Sequence, residues 1–244
     1  MITKAVLFAA GRGTRLGAIT ANYPKALLEV GGRPIIVHIL DGLVRAGIAD
    51  VAVITGHSAG LLEAEVGTGE QSGLRITYVR QETLDGTARA LSLCRDFLGD
   101  GQFFWSWGDI LVEHSNYARV LRTARFADAI VAVNEVDDPW AGGAVYVENS
   151  MRVTRIVEKP QPGTSTTRWN NAGFGVLGPG IWPEVERLQP SARGEYELPR
   201  AIAAMVDDGV EVRAVPSEGA WFDVGRPDDL EAARAAYATP GGQR

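Results

Sequence analysis

The stretch TKAVLFAAGRGTRL, residues 3–16, decides the fold because it joins an apolar run typical of a buried strand to a loop of small residues. The run covers residues 3–9, and the loop that follows contains Gly11 and Gly13. In open α/β sheets ligands bind beyond the carboxyl ends of the strands, where glycines let backbone N–H groups approach a phosphate. The stretch therefore predicts an α/β protein with an anion site after its first strand.

The loop differs from two common phosphate-binding motifs. A dinucleotide fingerprint would have its third glycine at position 16, which is a leucine, and no Gly-Lys-Ser/Thr of a Walker A loop follows. Two cations do follow, Arg15 and, after Pro24, Lys25. Each close unit pair with a phosphate charge contributes on the order of 4 kcal/mol at an effective dielectric of about 20. The loop alone fits a strand-to-helix turn equally well, but the two cations favour a triphosphate site.

Strand and helix patterns alternate outward from this stretch. Strands are predicted at about residues 3–9, 50–54, 74–80, 102–107 and 128–134, with helices between them at 34–46, 59–66, 86–97 and 116–125. Closely spaced strands follow at 143–148, 152–158 and 171–177, then a helix at 195–207, a strand at 210–215 and a helix at 228–237. The fold class predicted is α/β, a three-layer α/β/α sandwich with a mostly parallel, Rossmann-like central sheet and a mixed-strand extension.

The composition excludes several classes of function. The 244 residues are 45% hydrophobic and 22% charged, which is typical of a globular enzyme, and we expect one domain over residues 1–238 with a frayed tail at 239–244. A net charge of −6 disfavours nucleic acid as a partner, because nucleic-acid binding needs clustered Lys and Arg. Neither an apolar run of roughly 18 residues nor a signal-peptide pattern is present. We expect a cytoplasmic protein without a membrane partner, and the sequence leaves a homo-oligomer open.

Two aspartates form a candidate metal site. Asp109 follows the apolar run at residues 103–107, and Asp223 follows Trp221 and Phe222, so both are expected at strand ends. Mg²⁺ binds oxygen, usually from one or two carboxylates, with phosphates and water completing its shell. Each aspartate alone fits a turn or a helix cap equally well. From the residues alone, the pair is a candidate for binding Mg²⁺ beside the anionic substrate.

A series of short motifs runs through nearly the whole chain. They are residues 7–16, 24–28, Gln81 with 85–88, 108–109, 157–160, 171–173, 191–197 and 221–225. Together, and in this order, they resemble the sugar-phosphate nucleotidyltransferases, such as the glucose-1-phosphate thymidylyl- and uridylyltransferases. The resemblance implies a nucleotide-diphospho-sugar transferase-like fold in which the mixed strands form the sugar side. It implies Mg²⁺ as cofactor, and a nucleoside triphosphate (UTP or dTTP favoured) and a sugar 1-phosphate as substrates. The product would be an NDP-sugar, formed with pyrophosphate by in-line attack on the α-phosphorus.

The resemblance also implies roles for individual residues. It assigns Arg15 to the departing pyrophosphate, Lys25 to the reacting phosphates and Lys159 to the sugar phosphate, with Asp109 and Asp223 holding the metal. The nucleotide-binding residues that it implies are Ala9, Ala10, Gly11, Gly13, Thr14, Gln81, Gly86 and Thr87. The sugar-binding residues that it implies are Gly143, Glu158, Lys159 and Asn171.

Two departures from the family pattern leave the sugar undetermined. Ile110 stands where family members often have a polar residue, and residues 140–143 are mostly small. A guanylyltransferase for mannose-1-phosphate and a cytidylyltransferase for a phosphorylated alcohol therefore remain alternatives. Because the chain ends soon after Asp223, we expect a minimal catalytic core.

Two further classes of function compete with this interpretation. Residues 56–60, GHSAG, match the G-x-S-x-G of an esterase nucleophile elbow with Ser58 as nucleophile, but such enzymes need a later histidine near the C-terminus, and the only histidine after Ser58 is His114. A non-catalytic nucleotide-sugar sensor would be favoured by loss of an aspartate or of Lys25, and all three residues are present. We expect Ser58 to start a helix, and Cys94 to be a buried apolar residue.

Overall fold

The computed structural model describes residues 1–56 and 58–238. In these residues the strands, in chain order, are β1 (Lys4–Phe8), β2 (Glu29–Val30), β3 (Arg33–Pro34), β4 (Asp50–Thr55), β5 (Arg75–Arg80), β6 (Phe103–Trp107), β7 (Ile110–Val112), β8 (Ala129–Glu135), β9 (Gly143–Val147), β10 (Val153–Glu158), β11 (Trp169–Leu177), β12 (Val212–Pro216) and β13 (Trp221–Asp223). The α-helices are α1 (Ile35–Arg45), α2 (Ala59–Val66), α3 (Thr87–Ser92), α4 (Arg95–Leu98), α5 (Ser115–Thr123), α6 (Ile181–Arg187), α7 (Leu198–Asp207) and α8 (Pro227–Tyr237). Short 3₁₀ helices cover Thr14–Thr20, Lys25–Leu27, Glu70–Ser72, Ala124–Phe126 and Pro139–Ala141.

The contacts between residues divide the chain into two compact units. Unit 1 comprises Met1–Leu84, Ser106–Ala118 and the described part of Gly219–Arg244, and unit 2 comprises Asp85–Trp105 and Arg119–Glu218. Two of the four boundaries fall inside β6 and α5. The expectation of a single catalytic domain over residues 1–238 stays a prediction.

Unit 1 contains a parallel sheet in the order β1-β4-β5, which pairs Phe8 with Ile54 and Thr55 with Arg80. β1 and β4 are buried along most of their length because they consist almost entirely of apolar residues, whereas no residue of β5 is buried. Helix α1 buries one apolar stripe, formed by Ile35, Ile36, Ile39 and Leu43. The short antiparallel pairs β2–β3 and β7–β13 complete the unit. The carboxyl ends of its three parallel strands therefore share one edge, where an α/β sheet binds ligands.

Unit 2 has mixed strands in the order β10-β9-β11-β8-β12, in which only the β8–β12 pair is parallel. Helix α7 packs on β10 and contacts α6. The register of β11 against β8 shifts between Asn171 and Gly175, and Gly173 within this bulge has a φ of 85°. A β-bulge bends its strand and redirects the side chains beside it. The segment Asn171-Ala172-Gly173 therefore lies where the regular pairing of β11 with β8 is interrupted.

The structure confirms the α/β class, with parallel strands in unit 1 and mixed strands in unit 2. One predicted element is wrong, because the helix expected over residues 86–97 is two helices, α3 and α4. The apolar periodicity continues across the break, but Cys94 has the non-helical dihedrals φ −97° and ψ 5°. No sequence pattern predicts the short strands β2, β3 and β7 or helix α6, whereas β13 ends at Asp223, as expected from the apolar residues before it. The predicted frayed tail, residues 239–244, lies outside the described residues, and none of the helices within them is long and apolar enough to cross a membrane.

Candidate active site

The loop after β1 folds back towards Lys25. Gly13 has a φ of 63°, and its carbonyl oxygen accepts a hydrogen bond from Thr20 Oγ1 at 2.7 Å. A Cβ on Gly13 would lie 3.1 Å from the Thr20 side chain and 3.3 Å from Lys25 Cβ. Because a side chain here would need both a left-handed backbone and space that neighbours occupy, glycine fits this position best. The loop thus holds Lys25 close to the end of β1.

Asp109, like Lys25, lies close to the end of β1 in unit 1. The N–H of Gly108 donates to the carbonyl oxygen of Phe8 at 2.9 Å, and a Cβ on Gly108 would also lie 2.9 Å from that oxygen. This close approach of the backbones sets the next residue, Asp109, beside the carboxyl end of β1. There the Lys25 ammonium donates to the Asp109 carboxylate. The Lys25 side chain is only 11% exposed, so this ion pair is largely shielded from solvent.

Asp223 reaches this pair through the short antiparallel pairing of β13 with β7, which places Asp223 opposite Ile110, the residue after Asp109. Burial, followed by the negative charge of Asp109, raises the pKa of Asp223 to about 6. The positive charges of Lys25 and Arg15 act in the opposite direction. A second carboxylate and two cations therefore lie close enough to Asp223 to influence its ionisation.

The other nucleotide-side residues of unit 1 lie at or beyond strand ends. The Ala9 N–H donates to the carbonyl oxygen of Ile54, and the Gln81 N–H donates to that of Thr55, at 2.9 and 2.8 Å. Gln81 is buried, whereas Gly11 is exposed and a Cβ built on it would meet no atom within 4 Å. Unit 1 thereby contains ten of the residues selected from the sequence: Ala9, Ala10, Gly11, Gly13, Thr14, Arg15, Lys25, Gln81, Asp109 and Asp223.

In unit 2, the start of α3 docks against a later segment of backbone. Gly86 has a φ of 125°, and a Cβ built on it would overlap the backbone of Tyr196. The Ala88 N–H donates to the Tyr196 carbonyl oxygen at 2.8 Å, and Thr87 Oγ1 accepts a hydrogen bond from the Leu198 N–H at 2.8 Å. The position of Gly86 and Thr87 is therefore fixed by main-chain contacts that only glycine at position 86 allows.

The predicted sugar-side residues also meet in unit 2. Gly143 pairs with Glu158 across β9 and β10, and a Cβ on Gly143 would lie 3.2 Å from Glu158 Oε2 and 3.4 Å from Asn171 Cβ. Lys159 Nζ lies 3.8 Å from Glu158 Oε1. Burial raises the pKa of Glu158, while the charges of Lys159 and Arg193 lower it. The four residues form a polar cluster with one glycine that leaves space beside a carboxylate and an amide.

The donor set of unit 1 suits a hard cation. In the described part of the chain, no group of three or more His, Cys, Asp or Glu side chains is arranged to hold a metal ion. Asp109 and Asp223 offer two carboxylates, and Mg²⁺ commonly takes one or two from a protein and its remaining ligands from phosphates and water. The pair therefore fits a metal ion bound together with a phosphorylated substrate.

Comparison with known proteins agrees with this arrangement. The sequence profile of the family described as "Nucleotidyl transferase" matches residues 4–239. The chain belongs to the nucleotidyl transferase family. It is 34% identical to the low-salt glycan biosynthesis nucleotidyltransferase Agl11 of Haloferax volcanii, with 93% of this chain and 64% of Agl11 covered. It is also 34% identical to the UTP--glucose-1-phosphate uridylyltransferase AglF of the same organism, with 94% of each covered.

A solved structure from Bacillus anthracis, provisionally named a glucose-1-phosphate thymidylyltransferase, has a TM-score of 0.88 and 30% identity to this nucleotidyl transferase. The similarity covers 98% of this chain and 96% of the Bacillus anthracis chain. The chain spans 64% of the length of Agl11 and of the glucose-1-phosphate thymidylyltransferases of Streptomyces antibioticus and Streptomyces griseus.

Other chemically suggestive residues of this nucleotidyl transferase have structural roles. Ser58 precedes α2 as its N-cap residue, as predicted, and His57 lies outside the described residues. His38 is buried with its Nε2 at 2.8 Å from the Val30 carbonyl oxygen, so it is a satisfied core histidine. Burial raises the pKa of Cys94 to about 12, which agrees with the prediction of a buried apolar residue.

Two residues near the sugar-side cluster received no role from the sequence. Arg193 forms an ion pair with Glu197, and its Nη2 lies 4.0 Å from Glu158 Oε1. The motif at residues 191–197 contains Arg193, so its basic character was the available signal. Asn170 is buried and donates to the carbonyl oxygen of Asn171. Only the doubled asparagine marks it in the sequence, and neither letter indicates which side chain is buried.

Proposed function

We propose that this nucleotidyl transferase transfers a nucleotidyl group from a nucleoside triphosphate, UTP or dTTP by preference, to a sugar 1-phosphate. The observation that carries the proposal is the grouping of Lys25, Asp109 and Asp223 in unit 1, with Arg15 near enough to affect the pKa of Asp223. This grouping offers cations for a triphosphate and carboxylates for a divalent metal ion. The activities named for AglF and for the two Streptomyces relatives support it.

The reaction that fits this site is a direct displacement. An oxygen of the sugar phosphate forms a bond to the α-phosphorus, and the bond from that phosphorus to the oxygen bridging to the β-phosphorus breaks. The bridging oxygen leaves with pyrophosphate, and no bond to the protein forms. Because both reactants are anions, catalysis depends on positioning and on neutralising charge. We assign Lys25 to the reacting phosphates and Arg15 to the pyrophosphate.

Mg²⁺ is the cofactor that we propose, held by Asp109 and Asp223. When bound, such an ion neutralises phosphate charge and favours departure of the leaving group. The raised pKa of Asp223 supports this assignment, because burial and the nearby charge of Asp109 disfavour its ionised form until a cation compensates that charge. The carboxylate oxygens are also the donor type that Mg²⁺ prefers.

The sugar phosphate belongs, in this proposal, to the cluster in unit 2. The side chain of Lys159 is 46% exposed, so it is accessible to a phosphate from solvent. Glu158, Asn171 and the backbone of Gly143 would bind sugar hydroxyls, since they combine acceptors and a donor around a residue without a side chain. The nucleotide base would lie against Gln81 in unit 1.

Pyrophosphate release, measured for every combination of nucleoside triphosphate and acceptor, tests the proposal. The triphosphates are UTP, dTTP, GTP, CTP and ATP, and the acceptors are the 1-phosphates of glucose, galactose, mannose and N-acetylglucosamine, together with choline phosphate. We expect UTP or dTTP with a sugar 1-phosphate to give the highest rate. A preference for GTP with mannose 1-phosphate, or for CTP with choline phosphate, would assign the chain to one of the alternative transferases. No release with any pair in the presence of Mg²⁺ would contradict the proposed function.

A further inference from the structure

Lys159 has an unusual backbone conformation for a lysine. Its φ is 45°, and Ser58 and Met151 are the other non-glycine residues with positive φ in the described part of the chain. A positive φ is unfavourable for residues with a Cβ, so the surrounding structure must hold the residue there. The Lys159 N–H donates to the carbonyl oxygen of Gly142 at 2.7 Å. The backbone of Gly142 is therefore a direct support for Lys159.

Gly142 is in turn fixed by a buried amide. A Cβ built on Gly142 would overlap Oδ1 of Asn170 and would lie 3.3 Å from Asn170 Cγ. The side-chain amide of Asn170 thus occupies the volume that any other residue at position 142 would need. Asn170 is only 6% exposed, so solvent has little access to this contact.

The Asn170 side chain has little freedom to move away. Its Nδ2 donates to Oδ1 of Asn134 at 3.0 Å and to the carbonyl oxygen of Asn171 at 2.9 Å. A side-chain amide nitrogen carries two hydrogens, so these two bonds use both of them. Rotation of the amide would break both bonds and leave buried polar groups unpaired, which is unfavourable. Oδ1 is therefore held against Gly142.

We propose that Asn170 is a positioning residue for the sugar phosphate. It acts on Lys159 through Gly142, and on Asn171 through the carbonyl oxygen of that residue. The inference rests on the proposed function, since it takes Lys159 and Asn171 as residues that bind the sugar phosphate. It assigns no contact with substrate to Asn170 itself. The arrangement lets one side-chain amide fix two sugar-side residues, Asn171 within β11 and Lys159 directly after β10.

Two substitutions test the link from opposite sides. Asn170→Ala lets Gly142 move into the vacated space, and Gly142→Ala pushes the amide out of its place. Each should raise the KM for the sugar phosphate by on the order of tenfold, which is less than the roughly 100-fold cost that a misplacement of about 1 Å can have. The affinity for the triphosphate alone should remain that of the wild type. The KM of the double variant should be no higher than that of the more affected single variant. The new Cβ then has space, and the link is already broken.

Gln102→Ala is a matched control in the same unit. Gln102 Nε2 donates to the carbonyl oxygens of Ala124 and Ala127 at 3.2 and 2.8 Å, so its loss also removes hydrogen bonds from an amide to the backbone. It should lower the melting temperature while leaving the KM for the sugar phosphate unchanged. A purely structural role for Asn170 would give this same result.

The measurements use the full chain with UTP or dTTP and glucose 1-phosphate first, and then the best acceptor from the pyrophosphate assay. Steady-state kinetics give the KM, and calorimetric titration of the sugar phosphate gives its affinity without turnover. If Asn170→Ala behaves like Gln102→Ala, or if the two single effects multiply in the double variant, the positioning role is wrong while the proposed function stands. If the wild type releases no pyrophosphate with any pair, the proposed function fails, and the calorimetric comparison still decides whether Asn170 supports an anion site.

Discussion

The candidate phosphate site of unit 1 and the candidate sugar site of unit 2 hold their lysines by different means. Lys25 is 11% exposed and is paired with a carboxylate beside the end of a parallel strand. Lys159 is 46% exposed, directly follows the antiparallel strand β10 and has a φ of 45°. Unit 1 therefore fixes a charged group by electrostatics, whereas unit 2 fixes one through its backbone.

This difference indicates how each site responds to loss of a residue. In unit 1 the pKa of Asp223 is raised because a buried carboxylate lies near another one, and the two cations only partly offset this. Such perturbed ionisation is typical of groups that take part in chemistry. In unit 2 the cluster depends on glycine and asparagine contacts that set where side chains lie. Charge should therefore control turnover in unit 1, and geometry should control sugar binding in unit 2.

The largest effect is expected from the two aspartates. Asp109→Asn and Asp223→Asn keep the side-chain shape but remove a metal-binding charge, so each should lower kcat by roughly 1,000-fold, or about 4 kcal/mol. Their stabilities should differ. Because burial raises the pKa of Asp223, its ionised form is unfavourable in the folded state at neutral pH, and Asp223→Asn should not lower the melting temperature. Asp109→Asn leaves Lys25 without its carboxylate partner and should therefore lower the melting temperature.

Pyrophosphate release with Mg²⁺ or excess EDTA, together with thermal melts, measures both effects. Asp208→Asn is a suitable control, since Asp208 pairs with Arg187 at the surface of unit 2. Full activity in excess EDTA would contradict the metal site, and so would full activity of either active-site variant.

The next largest effect separates the two lysines. Lys25→Met should lower kcat/KM by roughly 30- to 1,000-fold, or about 2–4 kcal/mol, because a cation beside the reacting phosphates is lost. Lys159→Met keeps most of the apolar stem and should raise the KM for the sugar phosphate while leaving triphosphate binding nearly unchanged. Calorimetric titration with triphosphate, followed by kinetics in the sugar phosphate, measures both. Lys4→Met, at the start of β1, is the matched control.

The outcome would contradict this division of roles if Lys159→Met abolished triphosphate binding and left the KM for the sugar phosphate untouched. A similar loss of triphosphate affinity in both lysine variants would also contradict the proposed difference between the two units.

The sequence predicts much of unit 1 because its pattern is local. An apolar run followed by small residues predicts a strand and its loop, and Asp109 directly follows another such run. The nearness of Asp223 to Asp109 comes from pairing of the three-residue strands β7 and β13, which are far apart in the chain and too short to give a periodic signal. The family motifs select both aspartates, but the residues alone do not indicate that they meet.

The sugar side is less predictable for a related reason. The positive φ of Lys159 and the burial of Asn170 depend on contacts between separate strands, and no residue letter specifies them. The break between α3 and α4 at Cys94 is similar, since the apolar periodicity that predicts one helix runs through it. Local patterns thus predict the elements, whereas tertiary contacts decide how individual side chains are held.

A smaller effect is expected from two glycines that differ in what surrounds them. Gly86→Ala should lower the free energy of unfolding by about 1–3 kcal/mol, because the φ of 125° is strained for alanine and the new Cβ would overlap the Tyr196 backbone. Gly11→Ala should change it by less than about 0.5 kcal/mol, since its Cβ meets no atom within 4 Å. If Gly11 lies against the nucleotide, the same substitution should nevertheless weaken triphosphate binding.

Urea unfolding and triphosphate titration of both glycine variants measure the two effects separately. Unchanged triphosphate affinity in Gly11→Ala would contradict the placement of the nucleotide along this loop. Equal stability of the two variants would contradict the close packing of Gly86 on Tyr196.

The smallest effect is expected from Ser58→Ala, which tests the esterase alternative. Ser58 is the N-cap residue of α2 with a φ of 60°, and its side chain makes no capping hydrogen bond. Alanine therefore loses no capping interaction, and nucleotidyl transfer and melting temperature should both stay close to those of the wild type. His38 gives no support to a hydrolase, because it is buried and its Nε2 faces the Val30 carbonyl oxygen. Hydrolysis of p-nitrophenyl acetate, measured beside pyrophosphate release, supplies the direct comparison. If the wild type hydrolysed the ester and Ser58→Ala lost that activity while nucleotidyl transfer was absent from both, the esterase would replace the transferase as the better account of this chain.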